Sequence, residues 1–216
     1  RIPEIKEQVR INRLSRVIFR QNDKTFFESA IIAADSTIMK IFNLQMILGD
    51  PQTALNDPYS VVLTEKLAKK YFGDVDPLGM PLTLENKIRC KVTGIIKDLP
   101  NNSIFSFEGI LPYSLQDELR MPMSTSWGNN SILTFVLLEN GADIATVNKK
   151  LTDIVIEHNP QTTTKFVLFP LTDIHLKGQF GFMENKGPVT NLYIFSLIGI
   201  FVLLIACINF INLSTA

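Results

Sequence analysis

The sequence is poor in the residues that build most active sites and most small secreted scaffolds. Its 216 residues include two cysteines, two histidines and one tryptophan. Cys90 lies in a strand-like stretch and Cys207 in an apolar run, so no disulfide between them is expected. Chains almost free of cysteine occur in both the cytoplasm and the periplasm, which leaves the redox compartment open. The two histidines, His158 and His175, have no Cys or carboxylate at ligand spacing, so no metal site is expected. His158 reads as an exposed side chain near a helix C-terminus, and His175 as a structural hydrogen-bonding residue.

Charge of one sign is also missing. Twenty-one basic and 21 acidic residues cancel to a net charge of zero, and no Lys/Arg run exceeds two residues. Nucleic-acid binding depends on a basic face that releases counterions from phosphates, so no nucleic-acid partner is expected. There is no phosphate loop, no G-x-G-x-x-G and no G-x-S-x-G elbow. The close carboxylates Asp74 and Asp76 flank a turn, and Lys69 with Lys70 reads as a solvated helix face. Asn101-Asn102-Ser103 and Asn129-Asn130-Ser131 match a glycosylation sequon that matters only in a eukaryotic secretory pathway. Trp127, in the polar loop "MSTSWGNNS", reads as a small-core anchor rather than a ligand-stacking residue. No catalytic, cofactor-binding or metal-binding residue is nominated, and the chain is expected not to be an enzyme.

What the sequence does have is one long apolar run. Leu192 to Leu213 is 22 residues without a charged side chain. At 1.5 Å per residue this reaches about 33 Å, the thickness of a bilayer's hydrocarbon core. A core helix of a globular protein normally keeps a polar stripe, and only Ser196 and Gly199 interrupt Leu192 to Ile208. A transmembrane helix is therefore expected over residues 192–216. Asn209 and Asn212 share a face at its far end. They fit either hydrogen bonds to neighbouring helices or simple placement at the membrane–water interface. The chain begins without Met or an apolar leader, and its start is expected to be an internal boundary.

The rest reads as α+β, with strands and short helices alternating across long connections. Glu4 to Arg20 reads as a short helical entry followed by a strand around Val9 to Phe19. "TFFESAIIA" reads as a strand, and Asp35 or Ser36 as the cap of a short helix ending at Phe42. In "YSVVLTEKLAKKYFGDVDPLGMPLTL", Ser60 to Leu63 reads as a strand, Thr64 as an N-cap, Glu65 to Phe72 as a helix and Gly73 as its C′ residue. "RCKVTGIIKD" alternates as a half-buried strand with Cys90, Val92 and Ile96 on one side. Strands are expected at Phe105 to Leu111 and Ile132 to Leu138. A helix capped by Asp143 follows, and "KFVLFPLTDIHL" reads as strand-like.

These blocks resemble a family. "YSVVLTEKLAKKYFGDVDPLGMPLTL", "KVTGIIKDLPNNSIFSFEGIL", "FPLTDIHL" and "IACINFINLSTA" look like permease subunits of MacB/FtsX-type ABC transporters, in particular those of Bacteroides-like bacteria. The resemblance covers essentially the whole chain, although Tyr113 to Asn130 matches no motif. It implies an extracytoplasmic domain with a porter-like lobe over residues 1–112, a sabre-like insertion lobe over 113–165 and a return strand of the first lobe over 166–177. A connector over 178–191 and the second transmembrane helix, truncated, over 192–216 complete it, with a first helix expected upstream. It further implies a cytoplasmic ABC ATPase as a separate subunit or domain, a permease homodimer, and a periplasmic adaptor or lipoprotein as further partner. The location implied is the bacterial inner membrane, with residues 1–191 on the periplasmic side. The function implied is mechanotransmission: ATPase-driven motion passed to periplasmic partners or substrate, with no cofactor. The residues themselves also allow the ligand-sensing ectodomain of a membrane receptor, or an enzyme anchored to the bilayer.

Overall fold

The computed structural model describes residues 2–100, 103, 105–116, 118–119, 132–163, 165–174 and 189–215. They fall into two compact units, Arg1–Asn101 with Ser106–Leu168, and Asn102–Phe105 with Phe169–Ala216.

The first unit is built on one mixed sheet of ten strands: β1 (Ile5–Leu14), β2 (Val17–Gln21), β3 (Lys24–Glu28), β4 (Ile31–Ala34), β5 (Met46–Gly49), β6 (Ser60–Thr64), β7 (Pro81–Leu84), β8 (Ile88–Ile96), β9 (Gly109–Pro112) and β10 (Leu133–Leu138). Their order is β10-β1-β4-β9-β6-β8-β7-β2-β3, with β5 also paired to β8. Two neighbouring pairs, β4–β9 and β6–β8, are parallel and the other pairs antiparallel. The expected α+β class is what the chain adopts. The expected helical entry before Val9 is absent. Ile5, Val9 and Ile11 recur at even spacing, which suits a strand, and β1 runs from Ile5 with β10 and β4 on its two edges.

Among the described residues the α-helices are α1 (Ile38–Ile41), α2 (Glu65–Phe72) and α3 (Ile144–His158) in the first unit, and α4 (Val189–Thr215) in the second. Helix α2 starts and stops where its sequence dictates. The Thr64 hydroxyl accepts the Leu67 N–H at 3.3 Å, and Gly73 follows at φ 68°. Leu67, Ala68, Tyr71 and Phe72 lie on one face and are buried against Leu14, Phe19, Leu63, Leu82, Cys90 and Val92 of the sheet. The Asp143 side chain caps α3 by accepting from Ala145 and Thr146 N–H groups, as its position predicts. Helix α1 differs. Its N-cap is Thr37, whose hydroxyl instead donates to the Gln8 carbonyl at 2.6 Å. Asp35 is drawn to Arg10, 25 residues earlier.

Register explains a second difference. Cys90, Val92 and Ile95 face α2, but Ile96 does not share their side. The β6–β8 register slips between Val61↔Val92 and Val62↔Gly94, and a one-residue bulge exchanges the faces of everything beyond it. Residues 166–170 form no strand, and Leu171–Asp173 is a 3-10 turn. Pro170, which lacks an N–H for a ladder, disfavours strand pairing there. The insertion segment 113–165 contributes β10, so it shares the sheet with residues 1–112.

Helix α1 lies over the face opposite α2, where Lys40 pairs with Glu7 and Phe42 meets Phe135 edge-on at 5.3 Å. The 50–58 loop covers the same face further along, with Ala54 and Leu55 buried and the Ala54 carbonyl accepting from Thr93 Oγ1 at 2.6 Å.

The strand edge at β5 rests on Gly49. It sits at φ +94°, and a Cβ there would lie 2.4 Å from the Thr93 carbonyl oxygen, a backbone atom that cannot yield. Gly73 has positive φ but open space around it. Gly73→Ala should therefore cost only the strain of a backbone at φ 68° and ψ −128°, about 1–3 kcal/mol. Gly49→Ala should add a clash and cost more than about 3 kcal/mol. Urea unfolding midpoints of the two variants, compared with the parent, check the order.

Candidate functional site

Three features outside the plain core concentrate polar or unusual groups. The first is at the carboxyl ends of the adjacent parallel strands β4 and β9. Arg10 Nε and Nη2 donate to the two Asp35 carboxylate oxygens at 2.9 and 2.8 Å, a bidentate pair. The Arg10 backbone N–H donates to Asp35 Oδ2 as well, at 2.9 Å. Above this pair the guanidinium lies 4.0 Å from the Tyr113 ring centroid. A shallow cleft of about 270 Å³ opens beside them, lined also by Ser36, Leu55, Pro112 and Ser114. The Asp35 carboxylate holds the Arg10 charge firmly, raising its pKa further. The arrangement welds β1 to the β4 end and offers no nucleophile or base poised for proton transfer.

The second feature is a buried carboxylate. Glu28, the last residue of β3, is 6% exposed. Its Oε1 accepts from Tyr71 Oη at 2.5 Å and from Lys70 Nζ at 2.7 Å. Lys24 Nζ donates to the Lys70 and Tyr71 carbonyls at 3.0 Å each, where the last turn of α2 leaves acceptors open. Burial first, then the Glu28 carboxylate, raises the Tyr71 phenol well above its ordinary range. Lys70 is thus a partner for a buried charge, a correction to the solvated face expected for Lys69 and Lys70. Lys69 does match that expectation, exposed and only 3.7 Å from exposed Asp74. Sequence reasoning missed Glu28. The available signal was an acid in an aromatic strand, "KTFFE", at the parity of Phe26, whose half-open ring meets Tyr71 edge-on.

The third feature is α4. It runs 27 residues, about 40 Å, without a charged side chain, and none of its described side chains is buried. At its end the Ser214 and Thr215 hydroxyls donate back to the Ile211 carbonyl at 3.0 and 2.8 Å. The Asn209 and Asn212 amides make no hydrogen bond among the described residues.

Other residues singled out from the sequence are dispersed. His158 is exposed at the end of α3, its Nδ1 2.8 Å from the Ile154 carbonyl. Asp76 serves its turn by accepting the Leu78 N–H at 2.9 Å. Trp127, His175, Asn101, Asn102 and Asn129 to Ser131 lie outside the described residues, as do connector residues 178–188. Among the described residues no three His, Cys, Asp or Glu side chains are grouped to hold a metal.

Comparison with known proteins decides the family. The family model described as the MacB-like periplasmic core domain matches residues 1–154. The chain belongs to that family. No curated protein matches the sequence. Solved structures with the same fold include a domain of a protein assigned as a permease in Porphyromonas gingivalis, at TM-score 0.62 and 20% identity over 80% of this chain and 83% of that one. The periplasmic region of MacB from Actinobacillus actinomycetemcomitans matches at TM-score 0.56 and 20% identity, over 73% of this chain and 69% of that one. The extracellular domain of the noncanonic ABC-type transporter YknZ from Gram-positive bacteria matches at 0.56 and 19%, over 77% and 83%. These identities carry the fold alone. The family adds the rest: a MacB-like extracytoplasmic domain of an ABC transporter permease, followed by a candidate transmembrane helix. Membership also implies association with an ABC ATPase.

The MacB-like domain holds one buried thiol, whose titration gives a testable pH dependence. Cys90, 1% exposed, is pushed up to about 12 from 9.0, by burial first and then by the Glu118 and Asp57 charges. A raised folded value means that the native thiol keeps its proton while the unfolded one loses it. Stability from this source is whole below about pH 9 and declines above it, by at most about 1.4 kcal/mol per pH unit. Cys90→Ala should lose about 1 kcal/mol at neutral pH through the small cavity it leaves. It should also show a shallower loss between about pH 9 and 10, below the range in which Tyr71 contributes. Denaturant midpoints across this window, for both proteins, check the prediction.

The Glu28 cluster makes a second one. Lys70→Met leaves a buried carboxylate with Tyr71 as its single side-chain donor and should cost about 2–3 kcal/mol. The double variant Lys70→Met with Glu28→Gln should recover part of that loss, read as the coupling in a double-mutant cycle of thermal unfolding.

Proposed function

We propose that this chain passes ATPase-driven motion from the bilayer to extracytoplasmic partners or substrate. The observation that carries this reading is the joining of a MacB-like core domain to a charge-free helix of bilayer length. Force transmission asks for stiff elements, and a sheet of ten strands pinned across its width by Arg10–Asp35 and Glu28–Lys70–Tyr71 is one. In this reading α4 receives the motion, residues 178–191 couple it, residues 1–112 and 166–177 form the porter-like lobe, and residues 113–165 carry the sabre-like lobe that meets partners. The ATPase is a separate cytoplasmic subunit or domain.

The same reading makes the permease a homodimer in the bacterial inner membrane, with residues 1–191 on the periplasmic side and an adaptor or lipoprotein as a further partner. The Asn209 and Asn212 amides support helix–helix contact: they carry donors and acceptors that the helix itself leaves unmet, and hydrocarbon offers none.

Inserting a flexible Gly/Ser stretch after Gly187 in the intact permease tests the relay. The expected outcome is an ATPase that still turns over while the export-linked phenotype falls by at least about tenfold. Unchanged phenotype and unchanged coupling would sink the proposal.

A further inference from the structure

Register places Arg20, Arg89 and Lys91 on one patch of the sheet that no described residue covers, and a contact with the Phe27 ring puts Arg16 beside them. Across the strands β8, β7, β2 and β3, Arg89 pairs with Thr83, Thr83 with Arg20, and Arg20 with Thr25. One row away, Lys91 pairs with Pro81, and Ile18 pairs with Phe27. These residues share the face opposite α2, because their neighbours Phe19, Leu82, Leu84, Cys90 and Val92 are those buried under α2. Elsewhere that face is covered, by α1 over β1 and by the 50–58 loop at Thr93. Here Arg16, Arg20, Arg89 and Lys91 are all exposed.

The charge is unbalanced. Among the described residues none of the four forms an ion pair. The register puts no carboxylate among them. Glu85, at the adjoining turn, turns one oxygen to the Ile18 N–H at 2.7 Å. Phe27 is 59% exposed with the Arg16 guanidinium 4.0 Å from its ring centroid. A chain of zero net charge thus gathers four cations that form no ion pair among the described residues, against the one adjoining carboxylate of Glu85, and an open aromatic ring on one patch.

We infer that this patch docks on anionic phospholipid headgroups. Its chemistry asks for negative charge. Its lining is cations, Thr25, Thr83, Pro81 and an exposed ring, and not the buried apolar anchors on which a specific protein interface is built. Headgroups need only fixed cations, each attracted to an anionic surface, with an amphipathic or aromatic group at the interface. Arginines recognise phosphate in a bidentate manner. Arg20 and Arg89, two strand spacings or about 10 Å apart, can engage separate headgroups. The chain also carries a helix of bilayer length, so lipid is a surface it meets. The inference rests on the sheet patch and on the length of α4, and is independent of any relay through that helix.

The test uses the full chain held in a non-ionic amphipol and mixed with vesicles of phosphatidylcholine, or of equal parts phosphatidylcholine and phosphatidylglycerol, followed by flotation. Binding to the anionic vesicles is expected at low salt, to fall at least about tenfold at 0.5 M salt as charges are screened, and to be weak to phosphatidylcholine at every salt. Arg20→Gln/Arg89→Gln should lower the binding at least about fivefold, and Phe27→Ala should lower it further, with circular dichroism unchanged. Lys69→Gln, a cation outside the patch, should leave it as it was. Equal binding to both vesicle types, or full binding by the Arg20/Arg89 variant, would overturn the inference. Binding of soluble polyglutamate through the same arginines, without vesicle binding, would assign the patch to an acidic protein and overturn it equally.

Discussion

The sheet depends on one contact, the packing of α2 across its centre. Leu67, Ala68, Tyr71 and Phe72 close the face formed by Val61, Leu63, Cys90, Val92 and Leu111. Each large side chain so buried contributes on the order of 2 kcal/mol. The helix can come this close because β9 begins with Gly109, where a Cβ would lie 2.8 Å from Ile31 Cδ1 and 3.4 Å from Leu67 Cδ2. The far end of α2 is then tied to the β2–β3 hairpin. Tyr71 meets Phe19 and Phe26 edge-on at 6.1 and 5.8 Å, its hydroxyl reaches Glu28, and Lys24 meets the terminal carbonyls. A helix of eight residues therefore joins the central strands to the sheet edge.

The other face is closed differently. Short pieces, α1 and the 50–58 loop, cover it in the middle. Beyond them nothing among the described residues lies over β7, β2 and β3, and the outward positions there are Pro81, Thr83, Ile18, Arg20, Thr25 and Phe27. The two faces explain the alternation in "RCKVTG": the small and apolar residues belong to α2, and the cations face outward. The charge count hides this, since 21 cations and 21 acids sum to zero over the chain while their placement does not.

Local signals in the sequence were legible wherever neighbours in the chain decide the outcome. Thr64, Gly73 and Asp143 mark helix ends through bonds spanning three or four residues, and the apolar run after Leu192 declares its length directly. Long-range partners were not legible. Asp35 carries the signature of a helix cap, yet a guanidinium 25 residues earlier in the chain offers its carboxylate a bidentate, charge-assisted pair, which is stronger than a neutral cap bond. Glu28 and Lys70, 42 residues apart, meet through sheet order that no local pattern encodes. The bulge near Gly94 is likewise a property of two strands together, and it moved Ile96 to the face opposite the one its alternation suggests. Of the candidate features, the chain's lack of metal-ligand spacing and nucleotide motifs was readable, but the basic patch was not, since its members come from β8 and from in and just before β2, spread over 75 residues from Arg16 to Lys91.

The distribution of polar satisfaction separates the two units in kind. In the sheet unit the buried polar residues are met inside the chain, Ser60 by the Asp57 carbonyl, Thr64 by the Leu67 N–H, Gln116 by Asn12 and Tyr113, and Glu28 by two donors, while the single oxygen Glu4 Oε2 is buried without a partner. Such a unit holds its shape without help, because each buried group left unmet would cost about 1–3 kcal/mol. Helix α4 is the reverse. Its interior backbone is satisfied and its side chains are not: apolar on every side, with the Asn209 and Asn212 amides near its far end bonding nothing among the described residues. Water would penalise that surface heavily, at about 25 cal/mol for each Å² of apolar area, while hydrocarbon removes the penalty and leaves only the amides to be met. A helix with no face of its own can turn against its surroundings without losing internal contacts, and a sheet pinned at both ends cannot.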